Sequence, residues 1–544
     1  MIEHILRGLL GLVVLLGLAY LFSSKRSAVR IRVIFWGVGL QLLFAFMILS
    51  KQKLSFGAMF IFLVMILVYV YGKELNKLKS ILEQVTASLF IFLCSGVAVI
   101  LLYKVNAYAS FENKAKLIGI LFAVTVVLNI VGILIKNSMW QRVTFTGVLL
   151  TGYTVIVTKG WHGQVVFQAL SDKVAAFLKL SDAGSSFMFG NLMNPEYFFP
   201  DTTTWPGFGF QFAFSVLPTI IFFASFISIL YYLGIIQFII DMMAKFMRWT
   251  MGTSGAETLS CSANIFVGQT EAPFLIKPFI DDMTISEIHA VMVGGFATIA
   301  GGVLAGYIRM GIDPGHLIAA SVMSAPAALV IAKLLVPETE HSKTAGDVDI
   351  PHVKIADNLL DAAARGVTDG LHLALNVGAM LIAFIALIAF VDVVFGFGDK
   401  WIDGWLLKGT FNEVRGEYSG YFPGSLKTLF GTIFRPLAWC LGVPWGDSFN
   451  VGNLMGIKIA VNEFVGYKEL SDHIIRGDLS PKAVIISTYA LCGFANFSSI
   501  GIQIGGIGAL APGRRSELAK VGLKAMFGGA LASWMTATIA GMFL

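Results

Sequence analysis

Residues 483–513 read AVIISTYALCGFANFSSIGIQIGGIGALAPG, and none of these 31 residues is Asp, Glu, Lys or Arg. A helix of about 20 apolar residues crosses the hydrocarbon core of a bilayer, so this stretch is long enough to span a membrane. Its middle holds Gly493 and the polar residues Asn496, Ser498 and Ser499. The stretch therefore predicts a membrane-spanning helix with a polar interruption near its centre.

The rest of the chain is similarly apolar. Of its 544 residues, 56% are hydrophobic and 13% are charged, whereas an ordinary soluble domain has about 25% charged residues. About twelve charge-poor windows predict crossings, at residues 8–24, 33–50, 54–72, 84–103, 117–135, 143–158, 209–240, 286–310, 313–335, 370–391, 483–503 and 521–544. Continuous apolarity favours helices over a closed barrel. The sequence thus predicts an all-α polytopic membrane protein, which excludes a soluble enzyme, and the first window is expected to be retained rather than cleaved as a signal peptide.

The positive charges lie in short groups between the apolar windows. Although the net charge is +6, Lys and Arg form no basic block or face of the kind that binds nucleic acid. The groups at 25–32, 73–79 and 514–524 would lie in the cytoplasm under the positive-inside rule, which predicts both termini outside. The four cysteines are far apart and match no metal-ligand spacing, so we interpret them as packing residues.

Two segments, 249–280 and 436–467, are apolar but interrupted by Gly, Asn, Gln, Asp or Pro, so that neither flank of either segment can span a membrane. Each is predicted to form a re-entrant hairpin. Three predicted crossings separate the two hairpins, and this odd number places them on opposite faces, as in an inverted repeat. Paired interrupted segments in two inverted halves indicate the midplane substrate site of a transporter.

Polar residues in these segments are the candidate binding groups. Glu271 and Glu463 occupy corresponding places in the two hairpins, and a carboxylate at membrane depth by default faces a partner or a functional cavity. The alternative for each is a structural salt bridge or a carboxylate at a helix end near the interface. Asn496 and Ser499 are three residues apart and share a helical face, so with Glu463 they offer donors and acceptors to a polyhydroxylated ligand.

Two further groups complete the candidate site. Gln269 and Thr270, next to Glu271, match the adjacent C=O and N–H groups on the edge of a heterocycle. Phe494 or Phe497 would contact a ring, although lipid-facing packing explains both phenylalanines as well.

The order of the segments predicts the organisation of the chain. Residues 161–181 are amphipathic and are expected to lie at the membrane interface, with a soluble loop helix as the alternative. The predicted regions are 1–50 (two transmembrane helices), 51–160 (inserted transmembrane segments), 161–240 (interfacial and scaffold helices), 249–336 (first hairpin and two helices), 337–430 (cytoplasmic loop, scaffold helix and outer loop) and 431–544 (second hairpin and two helices).

Three stretches resemble the signature segments of the concentrative nucleoside transporter family. They are Asn264-Ile265-Phe266-Val267-Gly268-Gln269-Thr270-Glu271-Ala272-Pro273, Asn462-Glu463-Phe464-Val465 and Gly493-Phe494-Ala495-Asn496-Phe497-Ser498-Ser499-Ile500-Gly501. The resemblance covers roughly 1–50 and 161–544. It implies a homotrimer in the lipid bilayer, for a bacterial member in the inner membrane, in which each protomer carries its own nucleoside path and needs no organic cofactor.

The resemblance also implies roles for individual residues. Gln269, Thr270 and Glu271 would face the base, with Val303 nearby, and Glu463, Asn496 and Ser499 would face the ribose. A sodium ion would be bound by the side-chain oxygens of Asn264 and Thr298 and by the backbone carbonyls of Val267 and Ile299. Thr298 stands where the family pattern has Ser.

The expected function is therefore sodium-coupled import of nucleosides by alternating access. Proton coupling at the same site, through Glu271 or Glu463, is the nearest alternative. An intramembrane enzyme would need a positioned His, Cys or metal cluster that the sequence does not offer, and a channel is disfavoured by the occluding hairpins. The 51–160 insert is either peripheral lipid-facing packing or a partner surface.

Overall fold

The computed structural model describes residues 2–50, 52–75, 81–108, 114–135, 138–193, 211–346, 356–413 and 416–544. Of the described residues, 82% are helical, and the chain divides into two compact units. One unit comprises Met1–Gln41 and Ser171–Leu544, and the other comprises Leu42–Leu170. The start of the 209–240 window and residues 347–355 of the predicted cytoplasmic loop lie outside the described residues.

The Leu42–Leu170 unit contains most of the predicted insert. Its helices, from the one that enters it to the one that leaves it, are α2 (Ile31–Leu49), α3 (Gln52–Val70), α4 (Gly72–Leu75), α5 (Ile81–Tyr108), α6 (Lys114–Ile135), α7 (Ser138–Thr158) and α8 (Gly163–Leu178). Helices α6 and α7 pack closely through polar groups, since Asn129 Nδ2 donates to Thr144 Oγ1 at 3.0 Å. Such interhelical hydrogen bonds hold apolar helices together where lipid offers no alternative partner.

The larger unit contains the hairpin segments. Its remaining helices are α1 (Ile2–Leu21), α9 (Ser181–Phe189), α10 (Phe212–Tyr232), α11 (Ile235–Met251), α12 (Gly255–Ala263), α13 (Ile285–Ala297), α14 (Gly301–Arg309), α15 (Pro314–Leu335), α16 (Leu359–Asp399), α17 (Leu426–Cys440), α18 (Ser448–Ala460), α19 (Glu463–Arg476), α20 (Pro481–Leu491), α21 (Phe497–Leu510) and α22 (Arg515–Met542). Short 3₁₀ helices cover Arg26–Ala28, Gly190–Met193, Ala272–Asp282 and Pro512–Arg514, and a π-helix covers Lys400–Leu406. The loop predicted to lie outside adds a small antiparallel ladder, Phe411–Asn412 with Glu417–Tyr418, which the all-α prediction did not include.

Within the described residues, eight helical spans are long and apolar enough to cross a membrane. They coincide with eight of the twelve predicted windows. Of the other four, 8–24 lies in α1, 143–158 in α7, 483–503 in the short helices α20 and α21, and 521–544 in α22. The total of twelve crossings stays a prediction.

Helix α8 covers most of the predicted interfacial segment 161–181. The chain bends by 91° between Met139–Thr158 and Gly163–Phe189, so the helix does not continue the direction of α7. Trp161, Val165 and Val166 are exposed, as expected of an amphipathic helix with an apolar face toward lipid. Its position at the interface stays a prediction.

The order of elements repeats within the larger unit. In the first half α11 is followed by the pair α12 and Ala272–Asp282, by the interrupted pair α13 and α14, and by α15. In the second half α17 is followed by α18 and α19, by α20 and α21, and by α22. The two members of each hairpin pack against one another and are 9 to 14 residues long, shorter than the roughly 20 residues that a span needs.

The predicted boundaries of the second hairpin, 436–467, were wrong in detail. The segment begins inside α17, and Gly452 and Gly456, two of the residues expected to interrupt it, lie within α18. Both glycines permit α17 to approach closely, because an added Cβ would lie 2.9 Å from Arg435 N and 2.3 Å from Phe430 Cγ. The reversal between the two helices is confined to Val461 and Asn462.

A buried charged network fastens the base of the first hairpin. The Lys333 ammonium on α15 lies 2.6 Å from the Glu257 carboxylate on α12 and donates to Ser286 Oγ at 2.9 Å. Glu287, in the first turn of α13, accepts hydrogen bonds from the hydroxyls of Ser342 and Thr344. The network ties α12, α13, α15 and the start of the following loop into one piece.

Candidate functional site

The two interrupted helices meet at their breaks. Helix α13 ends before Thr298, α20 ends before Cys492, and the Phe494 amide donates to the Thr298 carbonyl at 3.3 Å. Gly493 has φ +140°, and an added Cβ would lie 2.7 Å from Phe296 O, so the crossing requires glycine. Residues that are 196 positions apart in the chain are thereby brought together.

Glu463 lies at the first position of α19 and is only 4% exposed. Asn462 caps the helix by accepting from the Val465 amide at 3.0 Å. The positive end of the helix dipole favours the negative charge of Glu463. Glu463 Oε1 accepts from the Tyr307 hydroxyl, and Oε2 accepts from Asn496 Nδ2, both at 3.2 Å.

Asn496 is oriented by the helix that it begins. Its Oδ1 accepts from the Ser499 amide at 2.9 Å and from the Ser498 hydroxyl at 2.8 Å, which caps α21. Since the amide oxygen is used in the cap, the amide nitrogen is left to face Glu463. One side chain thus fixes the start of α21 and connects it to the second hairpin.

The first hairpin joins the same set of hydrogen bonds through Gln269. Its Nε2 donates to Ser499 Oγ at 3.3 Å, and its Oε1 accepts from Gln503 Nε2 at 3.0 Å. Gln503 also donates to the Met292 carbonyl at 3.2 Å, which ties α21 to α13. The structure therefore connects four predicted site residues by hydrogen bonds. Gln269 belongs to the first hairpin, Glu463 to the second, and Asn496 and Ser499 to the break between α20 and α21.

The remaining predicted base-facing residues surround this chain of bonds. Thr270 is half-buried, and the next residue, Glu271, is exposed. A Cβ on Gly268 would lie 2.1 Å from Glu271 Oε2, so glycine leaves room for that carboxylate. Val303 is 2% exposed on α14, and Phe494 is half-buried in the break between α20 and α21.

The predicted ion-binding residues lie where the first hairpin meets the first break. Asn264 is 1% exposed, its Nδ2 donates to Ser260 O at 3.0 Å, and its Oδ1 is buried without a hydrogen-bond partner among the described residues. The Thr298 hydroxyl donates to Gly294 O at 2.9 Å, and a Cβ on Gly294 would lie 3.4 Å from Asn264 Nδ2.

The backbone brings the other two ligand candidates near this region. The Gly301 amide donates to Phe266 O at 3.2 Å and so links the residue before Val267 to the helix that begins after Ile299. Carbonyls of irregular backbone and amide oxygens are suitable ligands for a hard monovalent cation. The described residues contain no group of three or more His, Cys, Asp or Glu placed to hold a metal ion.

Three residues in this region were not predicted from the sequence. Tyr307, one turn after Val303 on α14, donates to Glu463, and Gln503, one turn after Ser499 on α21, donates to Gln269. Their helical spacing from predicted residues is the signal that would have found them. Lys458, fully buried in the last turn of α18, is the third.

Comparison with known proteins identifies relatives of the chain. Three family models match separate stretches of the chain. In chain order they are "Na+ dependent nucleoside transporter N-terminus" at 10–67, "Nucleoside recognition" at 213–313 and "Na+ dependent nucleoside transporter C-terminus" at 316–541. An uncharacterized transporter of Haemophilus influenzae is 45% identical over 397 residues, which are 72% of this chain and 89% of that protein. Sodium/nucleoside cotransporter 1 of Rattus norvegicus is 42% identical over 420 residues, which are 74% of this chain and 60% of that protein.

A solved structure is similar to this chain over almost its whole length. CNTnw in an inward-facing substrate-bound state is 32% identical, with a TM-score of 0.71, and the match covers 99% of this chain and 98% of that chain.

Proposed function

The chain belongs to the sodium-dependent nucleoside transporter family, whose members are transporters and not enzymes, and we propose that it imports nucleosides coupled to sodium influx by alternating access. The named function of the rat relative supports nucleoside transport. The observation that carries the proposal is the buried hydrogen-bonded chain from Glu463 through Asn496 and Ser499 to Gln269.

We assign the ribose to one part of this chain. Glu463 is an anionic acceptor, and Asn496 and Ser499 offer a donor and a hydroxyl, which together match the vicinal hydroxyls of a ribose. These groups also hydrogen-bond to one another, so a bound nucleoside would have to compete with those bonds. A ligand without the sugar hydroxyls leaves buried polar groups unpaired, which gives selectivity.

We assign the base to the first hairpin. Gln269 presents an amide, and Thr270 and Glu271 add a hydroxyl and a carboxylate in the next two positions. These groups match the alternating donors and acceptors of a pyrimidine or purine edge. Val303 and Phe494 supply the apolar surface beside them.

Sodium is assigned to the first hairpin and the first break. Asn264 Oδ1 is buried and has no hydrogen-bond partner in the described part of the chain, which supports a cation there because a buried polar oxygen is normally satisfied. Thr298 retains the hydroxyl, and Val267 and Ile299 supply carbonyls. Because sodium would bind beside Gln269 and its neighbours, it would raise nucleoside affinity, and nucleoside would raise sodium affinity equally.

The proposed arrangement in the membrane completes the assignment. Both hairpins are re-entrant from opposite faces, both termini lie outside, about twelve crossings span a bacterial inner membrane, and three protomers form a homotrimer. The short hairpin helices and the repeated order of elements support the two re-entrant segments. Ile382, Val393 and Phe397 are more than 70% exposed on α16, which supports contact of that helix with lipid or another protomer.

Uptake into proteoliposomes tests the coupling. We expect an inward sodium gradient to concentrate labelled uridine inside vesicles, at fixed membrane potential and at every pH tested. Uptake driven by a pH gradient without sodium would instead establish the proton-coupled alternative. Recovery of chemically unchanged uridine separates transport from an enzymatic reaction.

A further inference from the structure

Lys458 is a fully buried cation in the second hairpin. It lies in the last turn of α18, its exposure is 0%, and its Nζ donates to the Ala490 carbonyl at 2.9 Å. A charged side chain at such a depth is rare and by default has a partner or a function. Neither the ribose nor the base assignment uses it.

The surroundings of Lys458 are negative on two sides. Ala490 lies in the last turn of α20, and the C-terminal end of a helix carries partial negative charge. Glu463, which is also buried, begins α19 just after the reversal at Val461 and Asn462, five residues along the chain from Lys458. The hydrogen-bond donors to Glu463 are the neutral groups of Tyr307 and Asn496, so Lys458 supplies positive charge that these donors do not.

The two halves of the repeat differ at this place. In the first half, neutral Asn264 lies at the end of α12, and its side-chain oxygen has no hydrogen-bond partner among the residues that the structure describes. In the second half, Lys458 lies near the end of α18. Its ammonium donates to the Ala490 carbonyl in the last turn of α20, next to the second break. A cation acceptor in one repeat therefore corresponds to a covalently attached cation in the other.

We propose that Lys458 is a positioning residue that supplies a permanent positive charge to the second repeat, at the place where the first repeat binds its sodium ion. Its ammonium joins α18 to the end of α20 and holds Glu463 ionised and in place as the acceptor for ribose. The inference rests on the proposed function, because it assigns the ribose to Glu463 and sodium to the first repeat. One consequence is that the second repeat takes no sodium ion of its own.

Uridine binding to detergent-purified protein, measured by titration calorimetry over a range of sodium concentrations, tests this proposal. Lys458→Met removes the charge while keeping an unbranched apolar stem. We expect it to weaken uridine binding at saturating sodium by about thirtyfold or more, because it removes the buried positive charge that we assign to Glu463 and leaves the Ala490 carbonyl without its charged donor. Lys468→Met is the matched control, because Lys468 pairs with Asp472 on the exposed surface of α19, and binding there should stay within about threefold.

A second variant separates charge from packing. Lys458→Asn places an amide oxygen where the first repeat has one. We expect the uridine affinity of this variant to recover when sodium is added. The dependence of that affinity on sodium concentration should be second order, whereas that of the wild type is first order. Equal losses in both variants with first-order sodium dependence would indicate a packing role and overturn the proposal. Wild-type-like binding by Lys458→Met would also overturn it.

The same data distinguish this inference from the proposed function. If wild-type uridine binding does not depend on sodium, sodium coupling fails, and the sodium site assigned to the first repeat fails with it. The affinity ratio between Lys458→Met and wild type still reports whether Lys458 supports Glu463.

Discussion

Replacing Gly493 by alanine should separate the two interrupted helices at the centre of the protein. The residue has φ +140°, a conformation that side chains rarely adopt, and imposing it on alanine costs about 1–3 kcal/mol. The new methyl group would also lie 2.7 Å from Phe296 O and 2.8 Å from Ser533 Oγ. Overpacking of a close-packed interior costs about 1–3 kcal/mol more, so we expect a total loss of about 2–6 kcal/mol of stability.

The loss should reach the binding site because Gly493 precedes the capping residue of α21. A shift of the break would weaken the Phe494 to Thr298 hydrogen bond and move Asn496 relative to Glu463. Thermal unfolding in detergent and uridine calorimetry on the same samples measure both effects. We expect a lower midpoint and weaker uridine binding.

Gly501→Ala provides the control for this substitution. Gly501 lies on α21, and an added Cβ meets nothing within 4 Å. Alanine is favoured over glycine inside a helix by roughly 0.5–1 kcal/mol, so this variant should be as stable as wild type or slightly more so. If Gly493→Ala unfolds at the wild-type temperature and binds uridine normally, our description of the crossing is wrong.

Three further substitutions test other parts of the site. Glu463→Gln replaces a charged acceptor by a neutral one and should weaken uridine binding by about tenfold in calorimetry, whereas unchanged affinity contradicts the ribose assignment. Asn264→Ala removes a sodium ligand and should raise the sodium concentration for half-maximal uridine binding by about tenfold, with recovery at high sodium; an unchanged requirement would falsify the ion assignment. Lys333→Met leaves Glu257 as an unpaired buried charge and should destabilise the protein by about 3–5 kcal/mol in thermal unfolding, while Lys343→Met, at an exposed ion pair, should change stability by about 1 kcal/mol or less. Similar midpoints for the two lysine variants would contradict the buried network.

Residue type and spacing were sufficient to predict the apolar spans and the polar breaks. Charge-free windows locate helices because only an apolar surface is stable in lipid, and the breaks stand out against them. Asn496 and Ser499 were predicted as neighbours, and the structure adds that Asn496 is the N-cap of α21. A polar residue at a break thus has a local role in the helix as well as a role in the site.

Sequence patterns did not predict contacts that depend on packing between distant segments. Tyr307 is 156 residues from its acceptor Glu463, and although its helical spacing from Val303 places it near the predicted site, that spacing does not identify Glu463 as its partner. Gly452 and Gly456 were interpreted as interruptions, whereas they permit close helix packing, a distinction that requires the position of α17. The burial of Lys458 was not predicted, because a lysine in a sequence ordinarily indicates an exposed surface or a loop.

The charged network under the first hairpin has a consequence for movement. Lys333 and Glu287 couple α12, α13 and α15 through groups that lose water when buried, so separating these helices would expose or strand several charges. Bending where the first hairpin joins α13 and α15 therefore has a high free-energy cost. In the proposed alternating-access cycle, this group of helices should therefore move as one rigid body, and bending should be confined to segments that carry none of these buried charges.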